Sequence, residues 1–311
     1  MDTFFATKKG GKSSRGNTCC QLFVTDKGFV HLVPMRKKSD VLNALKQFAK
    51  EIGAPEAIVC DAAGKQTSIE LKRFLTSIGT TLRVLEQGTP WSNRAELYVG
   101  LIKAAVHKDM RDSKCPLVFW DYCAQRRVRI NNLTSKDSFK LNGITPHEDI
   151  HAEKGDISNV CLFDFYEWCY AFNNKAAFPH DKQYLGRCLG PAFGTSNKMC
   201  QWVLLGNGQV VAHHTVCPLT VEEKNSPEEE VKRGVFDERI KQIHGSYSDS
   251  AVPHSGRKKS KDEEEEDPYY LSNAISSEEE EWEPYQDLTD MAKEIPLMED
   301  AVGIHAGRYI H

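Results

Sequence analysis

Ala57-Ile58-Val59-Cys60-Asp61-Ala62-Ala63-Gly64 is the stretch on which the reading of this chain turns. Ala57–Cys60 is short and wholly apolar, the pattern of a strand buried on both faces. Asp61 follows at once, and in an open α/β sheet ligand sites gather outside the carboxyl ends of the strands. A plainer reading stands beside this one: an Asx turn that simply ends the strand. Outward from this point the chain alternates strand and helix patterns. On the N-terminal side, Val41, Leu42, Leu45, Phe48, Ala49 and Ile52 recur at helical spacing, with Ser39 as the expected cap and Gly53 as the stop. Before them, strands are expected at Thr3–Phe5, Cys20–Val24 and Phe29–Val33, the last two joined by a hairpin at Asp26-Lys27-Gly28. On the C-terminal side, Leu71, Phe74, Leu75 and Ile78 stripe a second helix, with Thr67-x-x-Glu70 as its capping box and Gly79 as its stop. Thr80–Leu85 reads as a further strand. A three-strand meander followed by helix, strand, helix and strand is a mixed α/β layer architecture. Two long helices complete it, from Asn93 to about Asp112 and from Pro116 to about Asn132, both rich in Arg and Lys.

Residues 145–220 change character. Short β-rich pieces at Val160–Phe163, Glu167–Ala171, Tyr184–Cys188, Gln201–Leu205 and Gln209–Val211 alternate with Gly, Asn and Pro turns, and Gly206-Asn207-Gly208 marks a hairpin. The expectation is a small all-β module of barrel type. Beyond Glu222 apolar residues thin out into acidic runs such as Glu263–Glu266 and Glu278–Glu281, the composition of a disordered tail. Three segments follow: a core over 1–140, a β module over 145–220 and an acidic tail over 221–311.

Charge divides along the same line. The 311 residues carry a formal charge of −4, but residues 1–220 hold 29 Lys+Arg against 20 Asp+Glu, and residues 221–311 hold 11 against 24. A body of +9 is attached to a tail of −13. Hydrophobic residues at 40% are enough for a buried core. No apolar run reaches membrane-spanning length, and Met1-Asp2 with Lys8 and Lys9 lacks the apolar stretch of a secretory signal. The ten cysteines include no CxxC pair, and Cys60, Cys123, Cys161 and Cys169 lie in apolar runs, which reads as a reduced, intracellular protein. His213-His214-x-x-Cys217 is a metal-site fragment with no second half. Arg257-Lys258-Lys259-Ser260-Lys261 is either a nuclear-import patch or a solvated run that balances its acidic neighbours.

Three acids stand at chemically meaningful places: Asp2 on the first strand, Asp61 after the buried strand, and Glu96 in the first turn of the helix from Asn93. Each also has a local explanation, Asp2 as a solvated terminal residue and Glu96 as the partner of Asn93 in a capping box. Their weight lies in the joint pattern. Asp61 and Glu96 are separated by 34 residues. Ile58-Val59-Cys60-Asp61-Ala62-Ala63-Gly64 resembles the strand and Asp-x-x-Gly of retroelement integrases, and Gly88-Thr89-Pro90-Trp91-Ser92-Asn93-Arg94-Ala95-Glu96 resembles their Thr-Pro-x-x-Asn-x-x-Glu stretch. Gly143-Ile144-Thr145-Pro146 and Leu185–Pro191 are similar to segments that follow the core in copia-type LTR retrotransposons. The resemblance covers residues 1 to about 220.

This resemblance implies an RNase H-like fold of the DDE transposase superfamily, a five-stranded mixed sheet flanked by helices. It implies Asp2, Asp61 and Glu96 as catalytic, metal-binding carboxylates for two Mg²⁺ (or Mn²⁺) ions, the hard-oxygen donor set that phosphodiester cleavage requires. It implies no structural zinc in this chain, DNA ends and target DNA as partners, a possible homo-oligomer, no membrane, and a nuclear site of action. The chain then reads as a slice of a larger polyprotein, with its start at an internal Met. Glu96, Gly100, Lys103, His107 and Arg111 share one helix face, so a carboxylate is followed by cations suited to phosphates. Asn93 and Arg94 at the helix start join them as nucleic-acid contacts. Leu97, Leu101 and Ala105 are expected on the side facing the sheet. Arg126, Arg127 and Arg129 are read as DNA contacts, as structural residues or as dimer contacts, and Trp168, Tyr170 and Trp202 as core or as a platform for bases. Two rivals remain open: a DNA-binding remnant without catalysis, and a ribonuclease H, for which the available fourth acid, Glu51, falls at the far end of its helix.

Overall fold

The computed structural model describes residues 1–6, 11–61, 68–85, 94–135, 140–172, 179, 182–192, 199–245 and 247. By internal contacts the chain divides into Met1–Pro253 and His254–His311, and all described residues belong to the first unit. The expected disordered stretch of the tail lies outside the described residues.

Strands β1 (Asp2–Phe5), β2 (Cys19–Val24) and β3 (Val30–Met35) form an antiparallel meander in that order. The expected hairpin is present, with Val24 opposite Val30. Helix α1 (Val41–Glu51) follows a short 3₁₀ turn, Lys38–Asp40. Ser39 sits within that turn and does not cap the helix, whose cap position is taken by Asp40 without a side-chain bond. Strand β4 (Ala57–Cys60) runs parallel to β5 (Thr81–Val84), across helix α2 (Ile69–Ser77). The cap of α2 is Ser68, which accepts from the Leu71 amide; Thr67 lies outside the described residues. Gly53 (φ 118°) and Gly79 (φ 73°) follow these helices in the left-handed region, as helix-ending glycines do.

The expected five-stranded sheet is therefore two pieces by strand pairing, β1–β2–β3 and β4–β5. They are linked by the Met1 ammonium, which donates to the Val59 carbonyl at 2.5 Å. They also share a core. Cys19, Phe23 and Val33 of the first piece and Ile58 and Cys60 of the second are buried together under α1 and α2. Alternation sends Cys20, Leu22, Val30 and Leu32 to the opposite face. There they meet Tyr98, Val99 and Ile102 of helix α3 (Arg94–Ser113) and Ala124 and Val128 of helix α4 (Trp120–Leu133). Leu97 and Leu101 do not face the sheet, being 61% and 55% exposed. A twenty-residue helix offers only one stripe to the sheet, and Tyr98, Val99 and Ile102 occupy it.

Helix α4 also serves the following module. Helices α5 (Pro146–His151) and α6 (Ser158–Cys161) lead into strands β6 (Glu167–Phe172), β7 (Gln183–Pro191), β8 (Gln201–Leu205), β9 (Val210–His213) and β10 (Val216–Pro218). These pair antiparallel in the order β10-β6-β7-β8-β9. The end strands β9 and β10 are not partners, so the expected barrel is an open sheet in its pairing. Val160 and Cys161 lie in α6, and no strand forms over Val160–Phe163 as expected; the Asp156 carboxylate accepts from the Ser158 amide at the head of that turn. Phe119, just ahead of α4, and Tyr122, within it, are buried with Leu189 and Leu204 of the sheet. Buried Arg126 of α4 donates to the Phe163 carbonyl at 2.9 Å. Gly190 (φ 100°) lies against that side chain, where a Cβ would stand 3.1 Å from Arg126.

Residues after 220 continue as helices α7 (Val221–Asn225) and α8 (Pro227–His244). This corrects the start of the expected disordered tail. Phe236 and Ile240, one turn apart, are buried against the sheet, and the Phe236 and Trp168 rings meet edge-on at 5.2 Å. Arg187 of β7 lies over the Trp168 ring at 3.5 Å and makes a two-pronged ion pair with Asp237 of α8 at 2.8 and 2.9 Å. No helix among the described residues is long and apolar enough to cross a membrane.

Candidate active site

Asp2 lies on β1, Asp61 directly after β4, and Glu96 in the first turn of α3. The Asp2 carboxylate accepts from the Thr3 amide at 2.7 Å. Burial pushes the Asp2 carboxyl above its ordinary value of 3.8; the Thr3 amide opposes this, and the charges of Asp61 and Glu96 both push it further up. Two acids from other parts of the chain thus act on Asp2. The geometry behind this is the Met1–Val59 link, which sets the start of β1 beside the end of β4. Asp61 also acts on the Met1 ammonium, whose pKa burial lowers.

Carboxylate oxygens are the donors a hard divalent cation takes, and a cation would offset the burial and like-charge repulsion at Asp2. Among the described residues no group of three or more His, Cys, Asp or Glu side chains could hold a metal ion. The same finding covers His213-His214-x-x-Cys217.

Along α3 the positions Glu96, Gly100, Lys103, His107 and Arg111 are exposed on one face, as the spacing predicts, and Arg94 is exposed at the start of the helix. The Lys103 ammonium stands 5.7 Å from the centre of the Phe4 ring, and Arg111 reaches Asp112 at 3.2 Å. Asn93 lies outside the described residues. The arginines of α4 face inward. Arg126 is buried against carbonyls, and Arg127 forms a two-pronged pair with Asp109 of α3. Arg129 is desolvated, which lowers its pKa. Trp168 packs on Phe236 and Arg187, Trp202 on Tyr122, and the Tyr170 hydroxyl donates to Glu229 at 2.5 Å. Trp168 and Trp202 are partly buried packing groups, and Tyr170 is held by Glu229.

Sequence reasoning missed two structural residues near the site. Asn132 of α4 accepts from the Val30 amide at 2.9 Å and donates to the Val30 carbonyl at 2.7 Å, standing in for a strand neighbour of β3. Asp121, wholly buried, accepts from Arg15 at 2.9 Å and Asn17 at 2.8 Å, tying the loop before β2 to α4. No sequence motif marks either, since each is defined by a partner about a hundred positions away.

No family model and no curated protein matches the chain. Among solved structures, the HTLV-2 integrase catalytic core domain in complex with magnesium, in its trimeric form, is 22% identical and aligns over 48% of this chain and 92% of its own, with a TM-score of 0.37. Its dimeric form gives the same values. The intasome of simian T-cell lymphotropic virus in complex with the PP2A regulatory subunit B56 gamma is 15% identical and covers 70% of this chain and 77% of its own, with a TM-score of 0.40. At such low TM-scores these superpositions assign neither fold nor chemistry to this chain.

Proposed function

We propose that the chain is the catalytic core of a copia-type LTR retrotransposon integrase, a polynucleotidyl transferase that trims the ends of element DNA and joins them to target DNA. The supporting observation is that Asp61 and Glu96 both act on Asp2, from three elements of an α/β layer. Asp2, Asp61 and Glu96 would hold Mg²⁺ or Mn²⁺. Divalent ions bound there supply charge compensation for the attacking and leaving oxygens of an in-line displacement. The chain's own residues do the positioning. Lys103, His107 and Arg111, about two to four turns along α3 from Glu96, hold the phosphate backbone, and Asn93 and Arg94 contact DNA at the head of the helix. A homo-oligomer acting in the nucleus belongs to the same proposal.

The second reading is a DNA-binding remnant that keeps the fold without the reaction. The absence of a metal-holding cluster among the described residues favours it. One experiment separates the two: cleavage and joining of end-labelled duplex DNA with Mg²⁺ or Mn²⁺ by the chain and by Asp61→Asn and Glu96→Gln. The integrase reading expects metal-dependent products that fall about a hundredfold or more in either variant. Salt-dependent DNA binding with no metal-dependent product from the unaltered chain supports the remnant. Products that survive both substitutions remove the carboxylates from the chemistry.

A further inference from the structure

Helix α5 carries His147-Glu148-Asp149-Ile150-His151, two histidines four positions apart. On a helix that spacing puts both imidazoles on one face, where they can reach a single metal ion. Here the rings do meet, with centres 4.4 Å apart and planes at 42°. A metal about 2.1 Å from one nitrogen of each ring, with about 90° between the bonds, sets the ring centres about 4.5 Å apart. The pair therefore stands near the separation that ligation needs. His147 is 7% exposed, and its Nδ1 is buried with no hydrogen-bond partner. No protein group competes for that nitrogen, and leaving it unpaired costs free energy. Gly155 holds the other edge of the ring in place: a Cβ there would stand 2.7 Å from His147 Cδ2, so only a glycine leaves room. Among nearby charges Glu153 and Glu148 favour a cation at His147, and Arg129 opposes it. Glu148 is not free to act as a base, since its carboxylate accepts from the Thr145 amide at 2.7 Å and closes the capping box of α5. The arrangement suits metal binding and not hydrolysis.

We propose that His147 and His151 together bind one divalent transition-metal ion of the class that imidazole prefers, Ni²⁺, Cu²⁺ or Zn²⁺. No third His, Cys, Asp or Glu side chain completes the set among the described residues, so water fills the remaining positions. Two imidazoles select these metals over Mg²⁺ and Mn²⁺, which carboxylate and water oxygens take. The ion joins exposed His151 to buried His147 at the end of α5. That holds the helix end against Phe29, whose ring His151 meets edge-on at 5.8 Å. The site uses none of the three acids and is independent of the catalytic reading.

The test titrates Ni²⁺ alone into the full chain by calorimetry, with Mg²⁺ in about tenfold excess to occupy carboxylates. Saturable binding is expected, weakened about tenfold or more in His147→Gln and in His151→Gln and unchanged in Asp61→Asn. His151 is exposed, so His151→Gln should keep the melting temperature of the metal-free chain and isolate the loss of a ligand from any loss of fold. In NMR spectra of the unaltered chain, substoichiometric Ni²⁺ should perturb the amides of Phe29 and Gly155 first. Absence of saturable binding below about 1 mM Ni²⁺ overturns the proposal. So does unchanged affinity in either histidine variant, or perturbation confined to other segments such as His213-His214.

Discussion

Asp2 is in electrostatic difficulty where it stands. Burial, Asp61 and Glu96 all disfavour its anion, and only the Thr3 amide and the Met1 ammonium favour it. Its folded-state pKa lies above 3.8, so the group disfavours the folded state progressively as pH rises through the interval above 3.8. Asp2→Asn should therefore raise the melting temperature at neutral pH in metal-free buffer. Mg²⁺ should raise the melting temperature of the unaltered chain and leave that of Asp2→Asn unchanged; scanning calorimetry with and without the ion reads both. Three histidines shift the other way. Burial lowers His31, His147 and His213 below 6.5; Glu51 opposes this at His31, while Arg129 and His151 add to it at His147. An unfolded chain then takes up protons first, so stability present above pH 6.5 is lost as pH falls through 6.5 toward the depressed values. Thermal melts between about pH 7.5 and 5.5 should show this decline, and His147→Gln should flatten it.

At the scale of elements, α3 combines a buried stripe with a charged outer face. The stripe of Tyr98, Val99 and Ile102 holds it on the sheet, leaving Lys103, His107 and Arg111 in solvent. If these cations meet phosphate, Lys103→Glu or Arg111→Glu should weaken DNA binding uniformly across sequences and reduce the salt slope by about one each. Arg127→Gln, by contrast, should act on stability through Asp109. Fluorescence titrations at several salt concentrations, beside thermal melts, distinguish the two behaviours. The helices and most strands were legible from periodicity, because burial on one face repeats every 3.6 or 2 residues. The exceptions have local causes. The Asp156–Ser158 bond starts the helical turn Ser158–Cys161 where a strand from Val160 is expected, and β10 is too short, at three residues, to show a pattern.

Across the whole molecule, α4 joins the first layer to the second sheet, and α8 packs on the same face of that sheet as Phe119 and Tyr122. The expected boundary at residue 220 would cut away Phe236 and Ile240 and leave Trp168 and Leu204 uncovered. A chain ending at 220 should therefore melt lower and aggregate, whereas one ending at 253 should melt like the full chain. Loss of Ile240 alone, as Ile240→Ala, should cost about 2–5 kcal/mol. Calorimetry and size-exclusion chromatography measure these outcomes. In α8 the signal was faint because two apolar anchors stand among many charges, and their worth depends on the Trp168–Arg187–Asp237 stack that receives them. The order of the three acids, the alternating elements and the division of charge follow from residue types and near-neighbour spacing, and could be read along the chain. Which acids act on Asp2, which arginines turn inward and which sheet face α8 covers depend on backbones that meet across dozens of positions. Burial and Coulomb forces act over ångströms of space, and only the packed chain sets those distances.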